Sequence, residues 1–193
     1  RPNDILLDGR RISNIFNTAD KAFHARISNP IRGLWSNTKI LEVEPLVDET
    51  IELFTHTLEE RFGDGEVCDA DRWLEYFSWD VMSNTAFGKH HGFVEEGRDV
   101  KDMLSISEQG LKYFAFVSQV PWLDAFLDKN PVLRLGPQPL VEGYLACGKV
   151  YQNYLQDLES GKALKGSQTH FMDKYTCLKG TTDVADDNQI MGW

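Results

Sequence analysis

The chain has 193 residues, 41% of them apolar and 26% charged, and its formal net charge is −10. Five Trp, six Tyr and eleven Phe are too many for a disordered tail, so a folded, core-forming segment is expected. The acidic balance argues against nucleic acid as a partner, because a phosphate backbone needs a basic face, and against a polybasic membrane footprint.

The longest uninterrupted apolar stretch is Tyr113–Val117, far short of the ~20 residues of a membrane span. Arg1-Pro2-Asn3-Asp4 does not open a signal peptide, and no initiator Met precedes it. The true N-terminus is expected to lie upstream. Cys68, Cys147 and Cys177 are odd in number and widely spaced. That pattern fits a reduced compartment better than a disulfide scaffold, and without a C-x-x-C pair it gives no support to structural zinc.

In chain order, a short β segment is admissible at Ile5–Leu7, but no strand pair stands out. The first long periodic stretch is Val43–Phe62. Apolar residues recur at Val43, Val47, Ile51, Phe54, Leu58 and Phe62, the spacing of one helix face. Pro45 suits its first turn and Gly63 its end. Gly63-Asp64-Gly65 then reads as a turn. A second helix is predicted over Arg72–Phe87, with Asp69 or Asp71 as cap, Gly88 as terminator, and Trp73, Phe77, Val81 and Phe87 as its apolar face, flanked by Leu74 and Met82. His90–Gly97 reads as a charged loop. A third helix is predicted over Val100–Val117, weakened by Gly110. Pro121, Pro131, Pro137 and Pro139 punctuate a long connection. A fourth helix is predicted over Leu140–Leu158. Asp183–Asn188 is an acidic loop, and Asp187–Trp193 reads as a helix just begun. The class is mainly α, and residues 1–193 read as a domain truncated at both ends.

Generic catalytic signatures are missing: there is no G-x-S-x-G, H-E-x-x-H, Walker loop or G-x-G-x-x-G. His90-His91 is a metal candidate only by adjacency, and surface placement is the expected outcome. His56 falls on the polar side of its helix. Asp80 sits in the apolar run Trp79-Asp80-Val81-Met82. If buried it must be hydrogen-bonded, and a structural anchor is expected rather than a catalytic acid.

The run Ser13–Ala25 resembles the S-x-F-x-T-x-D-x-x-x-H-A stretch of the pisatin-demethylase-like branch of cytochrome P-450 monooxygenases, with Phe16, Thr18, Asp20, His24 and Ala25 in register. Further similar stretches follow in order: Leu34-Trp35-Ser36, Glu44-Pro45-Leu46-Val47-Asp48, Trp73–Met82, Thr85–Gly88, Gly92–Glu95, Gln119–Asp124 and Lys129-Asn130-Pro131. The resemblance implies an incomplete part of the cytochrome P-450 fold, from the loop before helix C to the start of helix I. It implies haem as cofactor, held in the complete protein by a Cys thiolate that pushes electron density toward O–O cleavage. It implies hydroxylation of a small apolar organic substrate with O2 and electrons from an NADPH-dependent reductase. It also implies an endoplasmic reticulum location through an N-terminal anchor outside this chain.

Several family motifs are not in this sequence. The ligand loop F-x-x-G-x-R-x-C-x-G is absent, Cys147 reads as a packing residue on a helix, and Glu95-Glu96-Gly97-Arg98 matches E-x-x-R only in its letters. The oxygen-binding A-G-x-D-T is expected just past Trp193. No catalytic or metal-ligating residue is therefore assigned. Helix C of the family points a His or Trp and an Arg at a haem propionate. His24 matches the first position, Ser28 replaces the Arg, and Arg32 lies two turns from His24 on the same face, with Pro30 expected to kink the helix. His24 and Arg32 are the cofactor-binding candidates, and Phe114, Phe116 and Val117 the substrate-binding ones. The alternative reading is a non-catalytic helical binding module without haem.

Overall fold

The computed structural model describes residues 5–7, 10–12, 14–16, 18–130, 132, 139–161, 170–180 and 187–191. Among them, strands β1 (Ile5–Leu7) and β2 (Arg10–Ile12) are followed by ten helices. These are α1 (Lys21–Arg32), α2 (Asn37–Leu41), α3 (Glu44–Phe62), α4 (Ala70–Phe87), α5 (Phe93–Glu96), α6 (Met103–Val117), α7 (Pro121–Leu127), α8 (Pro139–Glu159), α9 (Phe171–Thr176) and α10 (Asp187–Met191). The class is mainly α, as the helical periods predict. The strand pair corrects the expectation of none. β1 and β2 are antiparallel, with Ile5 opposite Ile12 and Leu7 opposite Arg10. The sequence cue for it is the dipeptide Asp8-Gly9 directly after the apolar run Ile5–Leu7, a two-residue hairpin signal.

Helix ends follow local chemistry. Asp20 caps α1, its Oδ1 accepting from the Ala22 and Phe23 amides at 2.9 and 3.1 Å. The helix continues through Pro30, which lies in its last turn. Asp69 caps α4, and Gly88 ends it at φ 69°. A Cβ on Gly88 would also lie 2.7 Å from His170 Cδ2. Only glycine meets both demands. Pro121 stands at the start of α7, inside the connection that reads from sequence as a loop.

α3 and α4 pack side by side, and their buried faces differ from the apolar stripes predicted. On α3 the fully buried line runs through Val43, Thr50 and Thr57, while Ile51 is exposed. Both threonines donate their hydroxyls to carbonyls one turn back, Thr50 to Leu46 at 2.8 Å and Thr57 to Leu53 at 2.7 Å. With the hydroxyl satisfied inside the helix, the methyl packs like an apolar group. On α4 the buried residues are Trp73, Tyr76, Asp80, Ser83 and Asn84, and Leu74 and Met82 face outward. Asn84 Nδ2 ties the two helices, donating to the Leu46 carbonyl at 2.9 Å and to Glu49 Oε2 at 3.1 Å. His90 Nε2 lies 2.9 Å from Thr50 Oγ1, whose hydrogen is already given to Leu46, so the imidazole is the donor.

The predicted charged loop His90–Gly97 is in fact the middle of a core. Phe93 and Val94 of α5 are completely buried among Trp73, Tyr76, Val100 and Leu104. The polar group that makes this possible is Asp80, itself fully buried. Its Oδ1 accepts from the His91 and Gly92 amides at 2.9 and 3.0 Å, and its Oδ2 from the Val94 amide at 2.8 Å. Asp80 is thus the structural anchor that its sequence position predicts. Exposed His56 meets the other expectation, 3.5 Å from Glu60 Oε1 on the solvent side of α3.

A second core gathers Ile31 of α1, Tyr151 and Tyr154 of α8, Tyr175 of α9 and Ile190 of α10. Tyr151 donates to Asp187 Oδ1 at 2.7 Å, which docks α10 along α8. Buried His170 caps α9, its Nδ1 accepting from the Asp173 amide at 3.2 Å, and burial pulls its pKa below the ordinary imidazole value. Lys174 Nζ crosses to α2, reaching the Lys39 carbonyl and Glu42 Oε2, each at 3.2 Å.

Candidate functional site

The long helices α6 and α8 pack against each other. Residues spaced four, three and four apart on α6 — Met103, Ser107, Gly110 and Phe114 — share one face of that helix. Gly143, Ala146 and Cys147 share one face of α8. With Trp79 of α4 as a third wall, these faces surround a cavity of about 250 Å³. Its lining holds one hydroxyl, on Ser107, one thiol, on Cys147, and no charged group. Such a space suits an uncharged apolar molecule. Cys147 is exposed overall, and the apolar groups around its thiol raise its pKa.

Of the three substrate-binding candidates, Phe114 lines the cavity. Val117 is completely buried and Phe116 is 59% exposed. At about 100° per residue, Phe116 points some 200° away from Phe114, to the far side of α6. The lining residues on α8 escape a motif search because Gly, Ala and Cys carry no chemistry of their own. The signal that could have found them is the i, i+3, i+4 spacing of small residues opposite an aromatic.

A cluster of buried charges positions the end of α6. Tyr113 donates to Asp124 Oδ1 at 2.7 Å. Lys129 Nζ binds Asp124 Oδ2 and reaches Asp128 Oδ2 at 3.3 Å. The side chains of Lys129, Asp124 and Asp128 are only 8%, 2% and 9% exposed. Burial first, then the hydrogen bond to Asp124, pushes the Tyr113 phenol well above its ordinary pKa. The cluster clamps α7 and the residues after it onto α6, one position before Phe114. At the other end, Asp99 accepts from the Leu104 and Ser105 amides, each at 3.0 Å, and so caps α6 from outside.

The cofactor-binding candidates lie elsewhere. Ile27 and Ile31 bury one face of α1, and His24 and Arg32 stand on its exposed remainder with Lys21 and Arg26. Neither His24 nor Arg32 has a side-chain partner among the described residues. They do not converge with the cavity residues. Among the described residues no helix is long and apolar enough to cross a membrane.

The Cytochrome P450 family model matches residues 7–178. A cytochrome P450 monooxygenase of Aspergillus flavus is 32% identical over 190 residues, covering 96% of this chain and 37% of the relative. One of Penicillium brevicompactum is 34% identical over 183 residues, covering 93% of this chain and 21% of the relative. One of Emericella nidulans is 39% identical over 180 residues, covering 93% of this chain and 34% of the relative. The chain thus spans between about a fifth and two fifths of the length of these relatives. No solved structure matches it.

Proposed function

The chain belongs to the cytochrome P450 family, and we propose that it forms the stretch of a haem-thiolate monooxygenase from the loop before helix C to the start of helix I. The match over residues 7–178 carries this reading. The ordered motifs from Ser13 onward support the pisatin-demethylase-like branch. In the complete enzyme, haem with its thiolate ligand supplies oxygen activation. One oxygen atom enters the substrate, and the other leaves as water with two electrons from an NADPH-dependent reductase. The substrate is a small apolar organic molecule, in keeping with the uncharged walls around Phe114. An N-terminal anchor outside these residues holds the protein at the endoplasmic reticulum membrane.

The residues present fit haem at one point and not at another. His24 and Arg32 are exposed on α1 and have no side-chain partner among the described residues, and a charge-assisted bond from such donors is what a propionate needs. No residue here fits as axial ligand. Cys147 sits on helix α8, without the Phe, Arg and final Gly of the ligand loop around it. The chain alone is accordingly inactive.

The propionate role is tested by haem loss to excess apomyoglobin from the complete enzyme. Charge-assisted hydrogen bonds are worth about 1.5–3 kcal/mol. His24→Ala should therefore weaken haem retention by roughly one to two powers of ten. His56→Ala, at an exposed position of α3, should leave the rate unchanged. Equal loss from wild type and both variants would return His24 to an ordinary surface residue.

A further inference from the structure

A histidine can cap a helix through Nδ1 only while that nitrogen carries no proton. The usual capping residues, Ser, Thr, Asp and Asn, use an oxygen that stays an acceptor across the physiological range. α9 is capped in the first way: His170 Nδ1 accepts from the Asp173 amide at 3.2 Å. The ring also bonds the backbone of Ala86 near the end of α4. With Nδ1 an acceptor, the hydrogen in that second bond belongs to Nε2, so the imidazole is held as one neutral tautomer. It is 8% exposed and stands edge-on to Tyr154 of α8, with ring centroids 5.5 Å apart.

The ring holds more than its own helix. α9 has six residues, too few to persist alone. Docked, it stacks Phe171 on Trp35 just past α1, with centroids 4.6 Å apart, gives Tyr175 to the second core, and sends Lys174 to Glu42. A proton on Nδ1 would set two donors face to face, the ring and the Asp173 amide, and would bury a charge. The groups facing the ring leave that cost standing. Asp173 and Lys174 of α9 pull its protonation in opposite directions. Tyr154 of α8, its phenol pushed up to about 12 by burial, stays neutral. The end of α4 brings the Ala86 backbone and Gly88.

We propose that His170 is a pH-sensitive latch: neutral, it docks α9 against α4 and α8, and on protonation it releases α9 together with the Phe171–Trp35 brace at the end of α1. The docked form takes the neutral ring, and the undocked form takes either. Docking is therefore complete above the ordinary imidazole pKa of about 6.5. It weakens as pH falls below that value, by up to about tenfold per pH unit, until the docked ring itself protonates.

The test is hydrogen–deuterium exchange of the complete protein at about pH 7.5 and about pH 5.5, either side of the imidazole pKa. Mass spectrometry reads the α9 and α3 peptides, each rate divided by its intrinsic rate at that pH. Normalised α9 exchange should rise by at least ~2-fold at the lower pH, with α3 unchanged. In His170→Asn, whose side-chain oxygen caps without titrating, it should stay flat. His91→Gln removes a second half-buried histidine, stacked on Phe87, and should keep the wild-type rise. A smaller rise in wild type overturns the proposal, as does one that α3 shares in full. So does a rise that survives His170→Asn or disappears in His91→Gln. If His170→Asn left α9 open at both pH values, the His91→Gln result would decide alone.

Discussion

Asp80→Ala should destabilise the chain by about 4 kcal/mol. The carboxylate is fully buried and accepts three backbone amides, from His91, Gly92 and Val94. Hydrogen bonds to a charged group are worth about 1.5–3 kcal/mol each, and each buried amide left without an acceptor costs about 1–3 kcal/mol. The loss spreads beyond the amides. α5 has only four residues and cannot persist by its own helix propensity. Once released, it withdraws Phe93 and Val94 from the core they share with Trp73 and Tyr76. Asp80→Asn keeps the shape but turns one acceptor into a donor, and should cost about 2 kcal/mol. Urea unfolding followed by far-UV circular dichroism measures both. A change under about 0.5 kcal/mol for Asp80→Ala would place it among ordinary surface substitutions and remove its role as the anchor of α5.

Lys129→Met should cost about 3–5 kcal/mol, the usual loss when one partner of a buried ion pair is removed. Asp124 and Asp128 would remain buried with Tyr113 as the only hydrogen-bond donor among the cluster's side chains. Adding Asp124→Asn to Lys129→Met should recover much of the loss, because it deletes the charge left without a counterion. The exposed pair Lys112–Glu108 serves as the contrast. Lys112→Met should change stability by no more than about 0.5 kcal/mol. If Lys129→Met and Lys112→Met gave the same urea midpoint, α7 would not be clamped to α6 by this cluster.

These two networks mark where sequence periodicity stops being informative. The long helices α3, α4, α6 and α8 are legible because each carries an apolar stripe between recognisable breakers, and their ends agree with expectation within a few residues. The side of each helix that is buried is less legible. Thr50, Thr57, Ser83 and Asn84 count as polar in a stripe, yet bury once their hydrogen bonds close locally or across α3 and α4. Leu74 and Met82 count as apolar, yet face outward. The Lys129 cluster needs α7 to form before its charges meet, and prolines hide that helix in a stretch that reads as loop. Of the candidate site, Phe114 is legible from the family motif. The facing positions Gly143 and Cys147 are not, because only the packing of α8 on α6 brings them opposite. The α1 face with His24 and Arg32 is legible as a face, but the carboxylate it would meet belongs to a cofactor and leaves no trace in the chain's own contacts.

Under the proposed function, this chain would provide helical walls and propionate donors for a haem monooxygenase, and the axial thiolate would come from the ligand loop. The most direct measurement is the carbon monoxide difference spectrum of the reduced, haem-reconstituted chain, recorded beside that of a polypeptide extended through the family's F-x-x-G-x-R-x-C-x-G loop. The extended polypeptide should give the Soret band typical of thiolate ligation, and the 193-residue chain should give none. A thiolate band from the chain alone would make Cys147 the first suspect as ligand, and absence of the band from the extended polypeptide would contradict the monooxygenase assignment itself.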